Sequence, residues 1–146
     1  MQYAAAMNVG EIRLSEAQVL HVTSSTTDVL RLESTWAPGG KPPPTHWHPR
    51  QTEHFEVLEG RLTVRVAGDM RTLGPGDVLD VPPGTPHAMW NAGDVPVRAA
   101  WVVTPALRTE QMFRYLAGGM SPLRSIRMLF MFRNEFRLGG RGRRGA

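Results

Sequence analysis

The chain contains no cysteine. Disulfides, thiolate-bound zinc and cysteine nucleophiles are therefore excluded, and any metal chemistry is left to nitrogen and oxygen donors. Long apolar runs are missing too: no uninterrupted stretch reaches the length of a bilayer-spanning helix, so no membrane span is expected. The opening residues, MQYAAAMNVGEIRLSE, lack the basic region and long apolar segment that mark a secretory leader. The expectation is a cytoplasmic protein that does not engage membranes. Acidic residues are absent from the last ten positions, RLGGRGRRGA, which hold Arg137, Arg141, Arg143 and Arg144. Those four account for the formal charge of +4, since 17 − 4 leaves 13 basic against 13 acidic residues. A neutral body with a short Arg/Gly tail over 138–146, flexible by its composition, is weak ground for nucleic-acid binding, and no nucleic-acid partner is expected.

At 146 residues and 41% hydrophobic composition, the chain suits one domain with a real core. Residues 9–22 and 28–36 are rich in alternating and β-branched positions, as in strands. In the second stretch Leu30, Leu32 and Trp36 share one face while Arg31 and Glu33 share the other. From 37 to 105, Gly and Pro punctuate short apolar runs with no helical period, which predicts an all-β antiparallel sandwich or barrel. The pattern then changes. Thr109 is placed to cap a helix through Leu116 that stops at Gly118-Gly119, and Ser121-Pro122 to begin a second over 122–137. Residues 1–104 thus form a β-barrel with an N-terminal strand region, and 105–137 a helical segment packed on the barrel or at a subunit interface.

Three of the five histidines fall within THWHPRQTEH, residues 45–54, together with Glu53. Neutral imidazoles and a carboxylate are the donors a borderline divalent metal selects. Strand alternation puts His46 and His48 on one face with Trp47 turned away, and Glu53, after the bend at Pro49, can return a carboxylate to that face. His87, in PPGTPHAMWN, is the well-placed fourth donor, because His21 lies in the N-terminal strand region and His54 has the opposite parity to Glu53. Were Glu53 turned away, His54 would take its place. Phe55, Val57 and Met89 share the inward parity of Glu53 and His87 and are candidate pocket walls, although the same positions also suit barrel core. Core or a subunit interface is the expectation for Trp36, Trp90 and Trp101.

The residues also carry a family resemblance. Gly40, His46-x-His48, Glu53 and Gly60 stand at the spacing of the first cupin motif, and Gly76, Pro82-x-Gly84, His87 and Asn91 at that of the second, with fifteen residues between Gly60 and Gly76. The chain resembles small single-domain bacterial cupins, both quercetin-dioxygenase-like proteins and the cyclases of aromatic polyketide pathways. That resemblance implies a jelly-roll barrel holding one divalent transition metal (Fe, Mn, Ni, Co, Cu or Zn) through His46, His48, Glu53 and His87.

The expected activity is metal-dependent and of dioxygenase type, on a small apolar or aromatic oxygenated molecule bound as an enol or diketone, with Glu53 moving its proton. A non-redox polyketide cyclase or isomerase, and a non-catalytic metabolite-binding cupin, are the alternatives. A homodimer is expected, because residues 9–22 have no close sequential partner and the 122–137 stripe exceeds what one barrel edge can cover. Trp47 and Trp90, as outward aromatics, are its candidate contacts.

Overall fold

The computed structural model describes residues 10–140. In chain order the strands are β1 (Gly10–Arg13), β2 (Gln18–Ser25), β3 (Leu30–Trp36), β4 (His46–Trp47), β5 (Thr52–Glu59) and β6 (Leu62–Val66). There follow β7 (Asp69–Leu73), β8 (Val78–Val81), β9 (His87–Trp90), β10 (Val97–Thr104), helices α1 (Thr109–Ala117) and α2 (Pro122–Met131), and β11 (Arg137–Leu138). Two antiparallel sheets face each other, ordered β1-β2-β3-β10-β5-β8 and β11-β4-β9-β6-β7. This is the expected all-β jelly-roll barrel, with two C-terminal helices.

Alternation along the strands builds the interior. β3 buries Leu30, Leu32, Ser34 and Trp36, and β5 buries Glu53, Phe55 and Val57 while Glu56 and Glu59 face water. One apolar cluster, including Phe55, Val57, Leu62 and Val64, fills the barrel. A second joins Leu20, Leu30 and Val103 to Met112 and Phe113 of α1 and Met128 of α2, so the helices cover one end of the barrel as extensions of its core.

Several expectations are corrected. The N-terminal strand region, described from residue 10, does have close sequential partners: Ser15 Oγ accepts from Ala17 N–H at 3.1 Å, the chain reverses, and β1 pairs with β2, which pairs with β3. β1 remains the edge of the larger sheet. Thr109 does not cap α1. Arg108 occupies that position without a side-chain cap, and Thr109 lies buried in the first turn, where its Oγ1 accepts from Gln51. Ser121 does cap α2, accepting from Arg124 N–H with Pro122 in the first turn.

The second helix ends at Met131, not at 137. Beyond it Glu135 is drawn inward to Arg108, 3.1 Å away, Phe136 stacks on His46, and β11 pairs with β4, a set of contacts that a continuing helix would forfeit. The start of the tail expected over 138–146 is tied down, as Leu138 pairs with His46 and Gly139 N–H donates to Thr45 O at 2.7 Å, while 141–146 lie outside the described residues. Trp90 is 6% exposed, with Arg65 5.4 Å from its ring, and is not an open outward aromatic. Leu123, Ile126 and Phe130 of α2 do face solvent. Among the described residues no helix is long and apolar enough to cross a membrane.

The turns set the strand register, and two of their glycines separate conformational strain from crowding. Gly60, between β5 and β6, has φ +77, and a Cβ there would lie 2.5 Å from Pro96 O. Gly76 has φ +87 with nothing within 4 Å of that position. Gly76→Ala is expected to cost about 1 kcal/mol, and Gly60→Ala at least about 2 kcal/mol because backbone must also move. Urea unfolding of the two variants checks the order.

Candidate metal centre

Four side chains converge where the sheets face each other at the helix-covered end. His46 is on β4, His48 follows it directly, and His87 is on β9, paired in register with His46. Glu53 comes from the opposite sheet, on β5 between β10 and β8. One ligand atom from each of the four lies within 4.8 Å of the others. Glu53 and His87 are each 1% exposed and His48 7%, whereas His46 is half-buried.

Backbone carbonyls orient the three rings. His48 Nδ1 is 2.6 Å from Glu135 O, His87 Nδ1 2.8 Å from Thr85 O, and His46 Nδ1 3.4 Å from Pro44 O. A carbonyl oxygen only accepts, so each Nδ1 carries the hydrogen and each Nε2 of a neutral ring presents a lone pair. The consequence is electrostatic. His87 Nε2 and His48 Nε2 stand 2.7 Å and 2.9 Å from the same oxygen, Glu53 Oε1. Lone pairs facing a carboxylate oxygen at that range repel unless a proton or a cation lies among them. His48 Nε2 is close to Oε1 yet not aligned as a hydrogen bond and has no other partner, an orphaned buried nitrogen of the kind that a metal ion satisfies.

The second carboxylate oxygen is held separately: Trp101 Nε1–H on β10 donates to Glu53 Oε2 at 2.9 Å, and the indole stacks on Phe55. Oε1 is thereby left as the oxygen turned toward the histidines. Burial disfavours charge on Glu53, but His48 and His87 outweigh it and hold the carboxyl below the usual carboxylate range. Burial, with His87 and His48 alongside, pushes His46 down to about 3, which keeps its lone pair free. For His48 burial also opposes charge, yet Glu53 raises it above the ordinary histidine value. Three imidazole nitrogens and one carboxylate oxygen suit a divalent transition metal, and the residues fit such an ion.

A cavity of about 470 Å³ adjoins this cluster. Phe55, Met89 and Trp101 line it from the barrel, Met112 and Phe113 from α1, Leu129 from α2, and Phe136 from the segment after α2. Val57 is not among its walls; with no exposed surface, it packs in the barrel core instead. His54 points outward, its Nδ1 2.7 Å from Asp80 Oδ1, and His21 is exposed on β2. Sequence reasoning missed Gln51, Trp101 as the carboxylate's donor, and Phe136. Gln51 had a legible signal, the i, i+2 parity that it shares with Glu53 and Phe55. Phe136 had none, because its segment reads as helix.

The double-sheeted barrel with three histidines and a glutamate at its covered end can be set beside known proteins. Residues 32–103, just under half of the chain, match the family model described as a cupin domain. The chain is 49% identical over 53 residues to the probable oxidoreductase yanE of Aspergillus niger, covering 35% of this chain and 20% of that protein. To the tetracenomycin polyketide synthase protein TcmJ of Streptomyces glaucescens it is 35% identical over 60 residues, or 41% of this chain and 40% of that one. In both cases the chain spans less than half of the relative's length. A RmlC-like cupin from Shewanella frigidimarina superposes with a TM-score of 0.60 at 18% identity, over 73% of this chain and 92% of that one.

Replacing His48 or His87 by Ala is expected to abolish most metal binding while the barrel still folds, and Glu53→Gln to weaken it. His54→Gln and His21→Ala should leave it unchanged. Trp101→Phe, which frees Oε2 without emptying the core, should lower metal affinity by roughly tenfold. Elemental analysis and competition with a chromogenic chelator give the readouts, with circular dichroism as the check on folding.

Proposed function

We propose that the protein is a metal-dependent enzyme of dioxygenase type acting on a small apolar or aromatic oxygenated molecule, an enol or diketone. The observation that carries this reading is the apolar cavity of about 470 Å³ adjoining the His3Glu cluster. Among the described residues no Lys or Arg lines it, so a phosphate or a sugar acid would find no cationic side chain there apart from the metal cluster itself. A flat conjugated molecule would instead meet Phe55, Trp101, Phe113 and Phe136.

A divalent transition metal held by His46, His48, Glu53 and His87 would supply Lewis acidity toward an enolate oxygen and, where redox-active, electron exchange with dioxygen. The chain's own part is to orient and to dry. α1, α2 and the segment through Phe136 wall the barrel end with apolar side chains, which limits water around a reactive carbanion-like substrate. Glu53 is the one carboxylate lining the cavity among the described residues, and it is assigned the enol proton. Trp101 holds that carboxylate in one orientation.

The likeness to a polyketide synthase protein favours a second reading, a non-redox cyclase or isomerase in which the same carboxylate moves a proton and no oxygen is consumed. An oxygen electrode separates the two. Flavonols and 1,3-diketones are offered to protein loaded in turn with Fe, Mn, Ni, Co, Cu or Zn. The expected result is one dioxygen consumed per substrate converted with at least one redox-active metal. Product without oxygen uptake would move the assignment to cyclase or isomerase, and no turnover at all would make this a metabolite-binding cupin.

A further inference from the structure

The three imidazoles are not held alike. His87 Nδ1 and His46 Nδ1 meet carbonyls two residues away in the chain, Thr85 O and Pro44 O, so local backbone fixes both rings. The carbonyl at His48 Nδ1 belongs to Glu135, 87 residues further on and 2.6 Å away. An acceptor on that nitrogen sets the tautomer and the angle at which Nε2 faces the other ligands. The geometry of His48 therefore depends on where the turn after α2 comes to rest. Backbone bonds close that turn on itself, with the Glu135 and Phe136 N–H groups both donating to Phe132 O at 2.9 Å. Arg108, immediately before α1, ties it to the barrel: Nε donates to Glu135 Oε1 at 3.1 Å, Nη2 donates to Met131 O, and the guanidinium lies 5.0 Å from the Phe132 ring. The other end of the tie is fixed close to His48 in the chain. Gln51 Nε2 lies 2.9 Å from Pro105 O, 2.8 Å from Ala106 O and 2.6 Å from Thr109 Oγ1. The contacts thus close a ring from His48 through Gln51, Thr109, Arg108 and Glu135 back to His48.

We propose that Arg108 is a positioning residue of the metal centre, setting the Glu135 carbonyl against His48, and that metal binding is thereby coupled to closure of residues 132–138. This rests on the reading of His46, His48, Glu53 and His87 as ligands of one metal ion. Arg108 acts through Glu135 and not on the ion. The same segment reaches a second ligand, since Phe136 stacks on His46 at 4.8 Å and Leu138 pairs with it across β11 and β4. Phe136 and Leu138 also line the cavity. Coupling between two equilibria is reciprocal, so the support that the closed segment lends to metal binding is returned to the segment when the metal binds. The apolar wall beside the substrate is therefore firmest in the metal-loaded protein.

Zinc affinity, read by competition with a chromogenic chelator, tests the positioning directly and requires no turnover. Arg108→Met keeps an apolar stem near Phe132 and removes the cation. It should bind zinc about tenfold more weakly, the lower end of what an outer partner of a ligating imidazole contributes. Arg108→Lys leaves a cation within reach of Glu135 and should fall between Arg108→Met and the parent. Gly76→Ala, destabilised in the turn between β7 and β8, should bind as the parent does, which separates positioning from a general loss of stability. Hydrogen exchange reads the reciprocal half. Saturating zinc should slow exchange over 132–139, including the Gly139 amide that donates to Thr45 O, by a comparable factor, while the edge strand β7 exchanges as before. Parent affinity in Arg108→Met, no recovery in Arg108→Lys, an equal loss in Gly76→Ala, or exchange over 132–139 indifferent to zinc overturns the assignment. A parent that binds no zinc would end the metal centre and Arg108's role with it. Zinc bound alike by the parent and Arg108→Met would leave the centre standing and remove Arg108 alone.

Discussion

Everything at the covered end of this barrel answers to one buried charge. Glu53 is 1% exposed, and a carboxylate taken out of water costs roughly several kcal/mol unless it is paired and hydrogen-bonded. Its strand cannot retreat: β5 is interior to the six-stranded sheet, with Glu53 opposite Val103 on one side and Val81 on the other. The compensation must therefore come to the carboxylate. Trp101 supplies one hydrogen bond, and the opposite sheet supplies three imidazoles whose Nδ1 atoms are already committed to carbonyls. What remains at the centre is a set of imidazole Nε2 atoms around a negative oxygen, an arrangement that a proton or a metal cation among them satisfies.

The same constraint ties the C-terminal segment to the chemistry. His48 is oriented by the carbonyl of Glu135, 87 residues away in sequence. Glu135 is in turn fixed by Arg108, whose guanidinium lies 5.0 Å from the Phe132 ring. Thus the loop before α1, the turn after α2 and the metal-facing histidine form one connected unit. Phe136 then stacks on His46 at 4.8 Å, and β11 closes over β4. The helices are part of the site's wall, and a loss of their packing would be felt first at the imidazoles.

The barrel and the four converging residues were legible in the sequence because each rests on a local rule. Alternation put His46 with His48 and Glu53 with Phe55, and the Gly and Pro turns marked the strand ends. His54, adjacent to Glu53, was the alternative ligand, and parity places it outside, against Asp80. What sequence could not show depends on long-range closure. Residues 132–138 carry a helical pattern, but the helix ends because Glu135, Phe136 and Leu138 find better partners across the barrel mouth. Thr109 reads as a cap until Gln51 claims its hydroxyl. The reversal at Ser15 hides inside a run of alternating residues, since a single hydroxyl-to-backbone bond makes the turn. Val57 has the parity of a pocket residue, yet the cavity ends above it, a matter of depth that periodicity does not encode.

The central claim is that three imidazoles and the Glu53 carboxylate together bind one metal ion. X-ray absorption at the metal edge of protein loaded with one equivalent of zinc or cobalt reads this directly, because ordered imidazole rings give a distinctive outer-shell scattering. The account predicts three imidazoles and a carboxylate oxygen per ion, falling to two imidazoles in His87→Ala. Four imidazoles, two or fewer in the parent protein, or a spectrum unchanged by that substitution would contradict it.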